Sequence, residues 1–355
     1  MAFSGFYGNA TVSGALRNMI RKERIPQTLL LAGPEGVGKA TLARRFAAAI
    51  LDDAEKIEQD DLSLAVNVDR IAEREKLPSE KRADDPLLFS THPDFLTFPP
   101  DGPLRQISIQ QMRLLKERAQ FGPLKGGRRV FLIDHIDRAN EQAANSLLKI
   151  LEEPPNYLLL IMTAENAYDL LPTIRSRSVM FHMTALAAAE MAGFAESRGW
   201  GAADRRVTAA GGAPGLAVTA NLELWDVRRQ RMLALLEAAS RHTHVSAWVK
   251  HSEAISASKS EKLDSYLKVL STLLEDVLLL HAGHAARRNP DLQPQLERIA
   301  RSIEFEWLQK AMLRVDELVE FARRNVQKSI ALDALVVELQ RGVASPAGRV
   351  ATPSQ

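Results

Sequence analysis

Short apolar runs alternate with longer amphipathic stretches along the first half of the chain. Apolar runs bounded by turn residues indicate buried strands, and we predict strands over 27–33, 94–100, 128–134, 157–164 and 179–183. Helical spacing of apolar residues predicts helices over 39–51, 107–120 and 139–153, with Ser108 as the N-cap of the second. Strands that alternate with helices are typical of a parallel sheet covered on both faces. We therefore predict an α/β domain over 1–184.

The pattern changes after about residue 184, where the strand signal stops. Residues 185–222 indicate short helices interrupted by GGAPG at 211–215, and 223–341 is helical throughout. One long amphipathic face is predicted within the helical region, formed by Ile303, Trp307, Leu308, Met312, Val315, Val319 and Ala322. Small, polar and proline residues over 342–355 predict a loose tail.

Residues 51–90 differ from the rest of the chain in charge. This stretch carries twelve acidic and six basic side chains. We expect a solvated insertion with partial helix that stays outside the core. Its negative charge argues against contact with DNA.

Composition narrows the classes of function and of site. Hydrophobic residues make up 46% and charged residues 25% of the 355 residues, as in ordinary globular proteins. The net charge of +2 is too balanced to indicate nucleic acid as the main partner. Because the chain has no cysteine, disulfides and cysteine-ligated zinc are excluded. His92, His135 and His182 show no metal-ligand spacing, so no metal site is predicted.

No segment of the chain indicates a membrane. The first 24 residues lack the uninterrupted apolar run of a secretion signal. No stretch of about 18 or more apolar residues occurs anywhere. We therefore expect a cytoplasmic protein.

The stretch GPEGVGKAT, residues 33–41, is the first candidate site. It matches the phosphate-loop pattern G-x-x-x-x-G-K-[ST] between a predicted strand and a predicted helix, except that Ala40 stands where Ser or Thr would hold Mg²⁺. Thr41 is turned by about 100° from that position on a helix, so it should miss the metal. We expect phosphate cradling to survive while Mg²⁺ coordination is weakened. The predicted nucleotide-binding residues here are Gly33, Pro34, Gly36, Gly38, Lys39, Ala40 and Thr41.

Two further stretches carry candidate chemistry. In VFLIDHID, 130–137, Asp134 ends an apolar strand, where P-loop folds place a carboxylate for Mg²⁺ or its water, and His135 stands where ATPases carry a Glu that activates water. In TIRSRS, 173–178, Ser176 and Arg177 precede a strand, and Arg177 is a candidate arginine finger. Taken alone, Asp134 also fits an ordinary turn at the end of a strand. TIRSRS likewise fits a solvated basic turn.

Together these stretches resemble the AAA+ subunits of bacterial clamp loaders. ANSLLKILEEPP, at 144–155, is the most specific part of the likeness, and TIRSRS is similar to the S-R-C motif of the family with Ser178 in place of Cys. The other stretches that carry the resemblance are GPEGVGKATLA (33–43), HPDF (92–95), FLIDHIDRANEQ (131–142), LLPTIRSRSVMF (170–181), GGAPGLAV (211–218) and NVQKSIALDALVVEL (325–339).

The resemblance implies an architecture and a set of partners. The expected parts are a P-loop AAA+ core with a parallel sheet over 1–184, a helical lid over 185–222 and an all-α collar over 223–341. The family implies a five-membered ring that opens a sliding clamp and loads it at a primer–template junction during DNA replication. The implied partners are motor subunits of the gamma/tau type, a delta subunit, and the clamp and DNA through the assembled complex.

One member of this family does not hydrolyse ATP and offers the arginine of its S-R-C motif to ATP held by a neighbour. That role maps onto Arg177 here. Three departures from the motor subunits favour this non-hydrolysing member. They are Ala40, His135 and Leu216, and Leu216 stands where motor subunits usually carry a lid arginine. We expect weak ATP or ADP binding at most and impaired Mg²⁺ binding. We also expect no zinc, because the four-Cys module of many relatives is absent. An active motor ATPase and a P-loop phosphotransferase are the alternatives.

Overall fold

The structure is a computed structural model that describes residues 3, 5–200, 205–258, 261, 263–322 and 327–342. The chain divides into two units, 1–218 and 219–355. The predicted tail lies outside the described residues except for Gly342. Among the described helices, none is long and apolar enough to cross a membrane.

The first unit is built on a parallel sheet, as the alternating pattern predicts. Its described strands, in the spatial order β2-β3-β4-β1-β5, confirm all five predicted runs. Every neighbouring pair is parallel, with Ala32 opposite Ala164 and Ile133 opposite Met162. The strands are β1 (Thr28–Ala32), β2 (Phe95–Phe98), β3 (Arg129–Ile133), β4 (Leu158–Ala164) and β5 (Val179–His182).

Helices cover both faces of this sheet. Alternate residues of β3 point to opposite faces, so that Val130 and Leu132 join one buried cluster and Phe131 and Ile133 join the other. The three predicted helices are confirmed, and Ser108 caps the second by accepting a hydrogen bond from Gln111 N. The described helices of this half are α1 (Ala10–Arg21), α2 (Lys39–Leu51), α3 (Ala54–Glu58), α4 (Ala65–Glu75), α5 (Ser79–Asp84), α6 (Ile109–Ala119), α7 (Glu141–Glu152), α8 (Pro172–Arg175), α9 (Ala188–Ser197), α10 (Arg205–Ala210) and α11 (Pro214–Thr219).

The acidic segment 51–90 is more structured than predicted, and the expectation that it stays outside any core is wrong. It forms α3, α4 and α5, and it contributes a small buried cluster of Ile71, Leu87 and Phe89. Its carboxylates meet buried arginines, because Arg44 pairs with both Glu58 and Asp61. Part of the acidic charge is therefore paired within the fold.

The second unit is helical throughout its described part, as predicted. Its core contains the fully buried side chains of Trp248 and Tyr266. The predicted amphipathic face is confirmed on α16, where Trp307, Leu308 and Val315 are buried. The helices are α12 (Leu222–Ala239), α13 (Val245–Ala257), α14 (Leu263–His281), α15 (Gln293–Ser302), α16 (Phe305–Ala322) and α17 (Lys328–Arg341).

The HPDF stretch serves the fold of the first unit through Asp94. This carboxylate is fully buried and accepts hydrogen bonds from the backbone N–H groups of Leu124 and Lys125 at 2.7 and 2.6 Å. The guanidinium Nε of Arg129 lies 3.7 Å from it. Asp94 therefore fastens the turn-rich segment that leads into β3.

Replacing this carboxylate tests its structural role. We expect Asp94→Ala to lower the free energy of unfolding by about 2–4 kcal/mol, because two backbone donors lose their acceptor and the buried Arg129 loses the negative charge beside it. Urea unfolding followed by circular dichroism measures the change. The exposed Asp84 provides the control, since Asp84→Ala should stay within about 0.5 kcal/mol of the parent. Equal losses in the two variants would contradict the assigned role.

Candidate functional site

The phosphate-type loop leaves the carboxyl end of β1 and turns into α2 as predicted. Gly33 N–H donates to the carbonyl of Ala164 on β4 at 3.1 Å, which ties the start of the loop to the sheet. A Cβ atom on Gly33 would lie 2.1 Å from the carbonyl oxygen of Met183, so only glycine fits there. Ala40 and Thr41 occupy the second and third positions of α2 and are half-buried.

Lys39 is folded back onto its own loop. Its side-chain Nζ donates to the carbonyl oxygens of Gly33 at 2.6 Å and Pro34 at 2.8 Å. Burial lowers the pKa of Lys39, and the nearby carboxylates of Glu165 and Asp134 oppose that shift. The lysine thus contributes positive charge to this edge of the sheet while the loop carbonyls satisfy its protons.

The start of α11 lies directly against the loop. Gly215 N–H donates to the carbonyl of Gly36 at 2.8 Å. A Cβ atom on Gly36 would meet Leu216 Cγ at 2.6 Å. The apolar Leu216 therefore packs where the resemblance leads one to expect the lid arginine of a motor subunit.

Asp134 ends β3 beside this loop, as predicted, and a neighbouring strand holds it. Its carboxylate accepts a hydrogen bond from Thr163 Oγ1 on β4 at 2.6 Å. The same Thr163 oxygen accepts the backbone N–H of His135 at 2.8 Å. His135 has φ of 55°, the left-handed conformation, so that the chain turns sharply after Asp134.

Arg177 lies at the opposite edge of the sheet. It follows α8 and precedes β5, so it sits at the amino ends of the parallel strands, whereas the loop and Asp134 sit at the carboxyl ends. Its guanidinium Nη2 donates to Glu152 Oε1, at the end of α7, at 2.9 Å. Ser176 Oγ donates to the carbonyl of Thr173 at 3.2 Å. The structure thus groups the loop with Asp134 and separates both from Arg177.

Two residues of these sites are missing from the prediction. Thr163 is fully buried and stands near the end of an apolar strand, and this one polar residue in LLLIMTA was a usable signal. Glu152 belongs to the LEEPP stretch, but its partner Arg177 is 25 residues away in sequence. No local sequence pattern predicts that ion pair.

Comparison with known proteins identifies relatives among DNA polymerase III subunits. The family model described as DNA polymerase III, delta subunit, matches residues 8–187. The delta' subunit of Pseudomonas aeruginosa is 34% identical over 150 residues, which cover 42% of this chain and 40% of the relative. The tau/gamma subunit of Haemophilus influenzae is 26% identical over 184 residues, 52% of this chain and 24% of the relative. The chain thus spans less than half the length of these curated relatives.

A solved structure gives a weaker likeness. The DNA polymerase III gamma subunit-related protein of Thermotoga maritima is similar over 92% of this chain and 99% of its own. The sequence identity is 14% and the TM-score is 0.45.

The Thr163 hydroxyl provides a direct test of how Asp134 is held. We expect Thr163→Val to lower the free energy of unfolding by about 1–3 kcal/mol, because Asp134 loses a donor and His135 N–H loses an acceptor. Thr97 on β2 is the matched control, since it is equally buried and its Oγ1 has no hydrogen-bond partner among the described residues. Thr97→Val should therefore cause no loss of stability in chemical unfolding. Similar losses in both variants would show that the Thr163 hydrogen bonds contribute nothing.

Proposed function

The chain belongs to the family of DNA polymerase III delta subunits, whose model covers half of it, and on that premise we propose that it is a delta-prime-type clamp-loader subunit that supplies Arg177 in trans. In this proposal it does not turn over ATP itself. It assembles with gamma/tau-type motor subunits and a delta subunit, and the ring loads a sliding clamp onto primer–template DNA. Relatives named delta' and tau/gamma support this assignment.

The loop keeps its shape but lacks groups that hydrolysis needs. Ala40 has no hydroxyl for Mg²⁺. His135 presents an imidazole instead of the carboxylate of the Glu that activates water in ATPases. Leu216 packs against Gly36 without a charge for a γ-phosphate. These features together support a subunit that retains the loop as a structural element.

The position of Arg177 is the observation that carries the proposal. A strand of five residues spans about 15 Å, so the amino edge of the sheet is far from the loop at its carboxyl edge. Arg177 is therefore badly placed to reach a phosphate on its own loop. An always-charged, planar guanidinium at this edge is suited to the phosphate of a neighbouring subunit. Glu152 holds the side chain in place until that phosphate competes for it.

The helical region supports assembly into a ring. Large apolar side chains remain exposed on several of its helices and are available to pack against neighbouring subunits. The members of this set, which are between 45% and 59% exposed, are Val227, Val249, Phe305, Leu313, Phe321, Ile330 and Val337. We propose that the region 223–341 is the collar through which the subunit oligomerises, with 185–222 as the lid and 1–184 as the core.

Removing the arginine tests the proposal in the reconstituted complex. We expect Arg177→Ala to leave assembly intact, as judged by size-exclusion chromatography, and to reduce ATP hydrolysis at the neighbouring site on the order of 10³-fold. Arg175 is the matched control, because it precedes Arg177 by two residues and lies over the ring of Tyr168 at 5.1 Å. Arg175→Ala should retain the parental rate. Normal hydrolysis and clamp loading by the Arg177→Ala complex would overturn the assignment.

The motor ATPase remains the second candidate, because Lys39 and Asp134 stand together at one edge as a working loop requires. An assay of the isolated chain separates the two functions. We expect no ATP turnover with or without Mg²⁺, and the same background for Lys39→Ala. Mg²⁺-dependent hydrolysis that disappears in Lys39→Ala would instead establish a motor subunit.

A further inference from the structure

Three ligand-type side chains meet beyond the carboxyl ends of β3 and β4. His135 and Asp137 follow β3, and Glu165 follows β4. One ligand atom from each lies within 4.8 Å of the other two. The imidazole Nδ1 is 4.0 Å from Asp137 Oδ1 and 3.8 Å from Glu165 Oε1. Glu165 is 28 residues from Asp137, so the sequence spacing gives no sign of the group.

Two of these atoms are buried without a partner. The Asp137 side chain is 2% exposed, and its Oδ1 has no hydrogen-bond partner in the part of the chain that the structure describes. The Nδ1 atom of His135 is likewise buried and unpartnered there. Buried polar atoms without partners are rare and costly, and those that occur need a physical explanation.

The spacing of the three atoms fits a cation better than direct hydrogen bonds. Hydrogen-bonded nitrogen and oxygen atoms lie about 2.7–3.2 Å apart, and the measured separations are clearly longer. Two sides of the triangle measure 4.0 and 3.8 Å and the third is at most 4.8 Å, so a cation equidistant from the three atoms lies no more than about 2.5 Å from each, near the roughly 2.0–2.2 Å of zinc–oxygen and zinc–nitrogen bonds. A contraction of a few tenths of an ångström would complete the fit.

The positively charged side chains of Arg138 and Lys39 lie near the three ligand atoms. Their contacts leave the space between those atoms open. Arg138 Nη2 donates to Glu165 Oε1 at 3.1 Å, and the Glu165 side chain remains 34% exposed. Lys39 donates its protons to loop carbonyls rather than to Asp137. Arg138 is therefore suited to orient Glu165 from outside a metal site, as outer partners of metal ligands commonly do.

We propose that His135, Asp137 and Glu165 form a binding site for a divalent transition-metal cation of the zinc type. One imidazole and two carboxylates are ligands that zinc accepts, whereas Mg²⁺ and Ca²⁺ prefer oxygen alone. Three protein ligands leave a fourth position for water. The metal joins the segment after β3 to the segment after β4 and needs no nucleotide. This site stands independently of the proposed role of Arg177.

Zinc titration of the full chain tests the site. The protein is treated with a chelator, freed of nucleotide and titrated with Zn²⁺ in a calorimeter, and Co²⁺ absorption serves as a second readout. We expect one equivalent to bind, and we expect His135→Asn and Glu165→Gln each to weaken binding on the order of tenfold or more. Asn is chosen because it tolerates the left-handed backbone at this position.

An exposed histidine provides the control. His284 lies on the surface three residues from His281, where adventitious zinc would collect, and His284→Asn should leave binding of the one equivalent unchanged. Thermal unfolding with and without Zn²⁺ verifies that each variant folds, and zinc should stabilise the parent but not Glu165→Gln. If His135→Asn does not fold, zinc binding by Glu165→Gln tests the site, because Glu165 is half-exposed. Absence of saturable binding in the parent, or equal binding by Glu165→Gln, would overturn the proposal.

Discussion

The parallel pairing of β1, β4 and β3 is the constraint on which every site in the first unit depends. Because these strands run in one direction and end in register, whatever follows them meets at one edge. The loop after β1, Asp134 after β3 and Thr163 near the end of β4 are neighbours for this reason. Because β5 pairs in parallel with β1, Arg177 before β5 lies at the other edge, together with Glu152 before β4. A single sheet thus keeps a phosphate-type loop and an arginine apart.

Local patterns were sufficient to predict the frame of this molecule. Apolar runs, helical spacing, the Ser108 cap and the glycine loop each act within a few residues, so the five strands, the helices of the core and the helical second half were predictable. Contacts between residues that are distant in sequence and are brought together by strand pairing were not predictable. Three contacts join residues 25 or more positions apart: the Thr163–Asp134 hydrogen bond, the Glu152–Arg177 ion pair and the approach of Glu165 to His135. The buried cluster within 51–90 was hidden by the acidic composition around it.

The loop persists because the fold satisfies it without a phosphate. Lys39 donates hydrogen bonds to loop carbonyls, and its charge balances the carboxylates of Asp134 and Glu165, so its loss would leave uncompensated negative charge at this end of the sheet. Gly33 is needed for its close approach to Met183. Packing and charge therefore account for these residues without a bound phosphate. Recognising the motif in a sequence is not evidence of turnover.

The packing of α11 on the loop also links the positions of these two segments. One added methyl on Gly36 would clash with Leu216 Cγ at 2.6 Å, and Gly215 N–H donates to the Gly36 carbonyl at 2.8 Å. The two segments are therefore mechanically coupled: a displacement of α11 either breaks this hydrogen bond or moves the loop backbone with it.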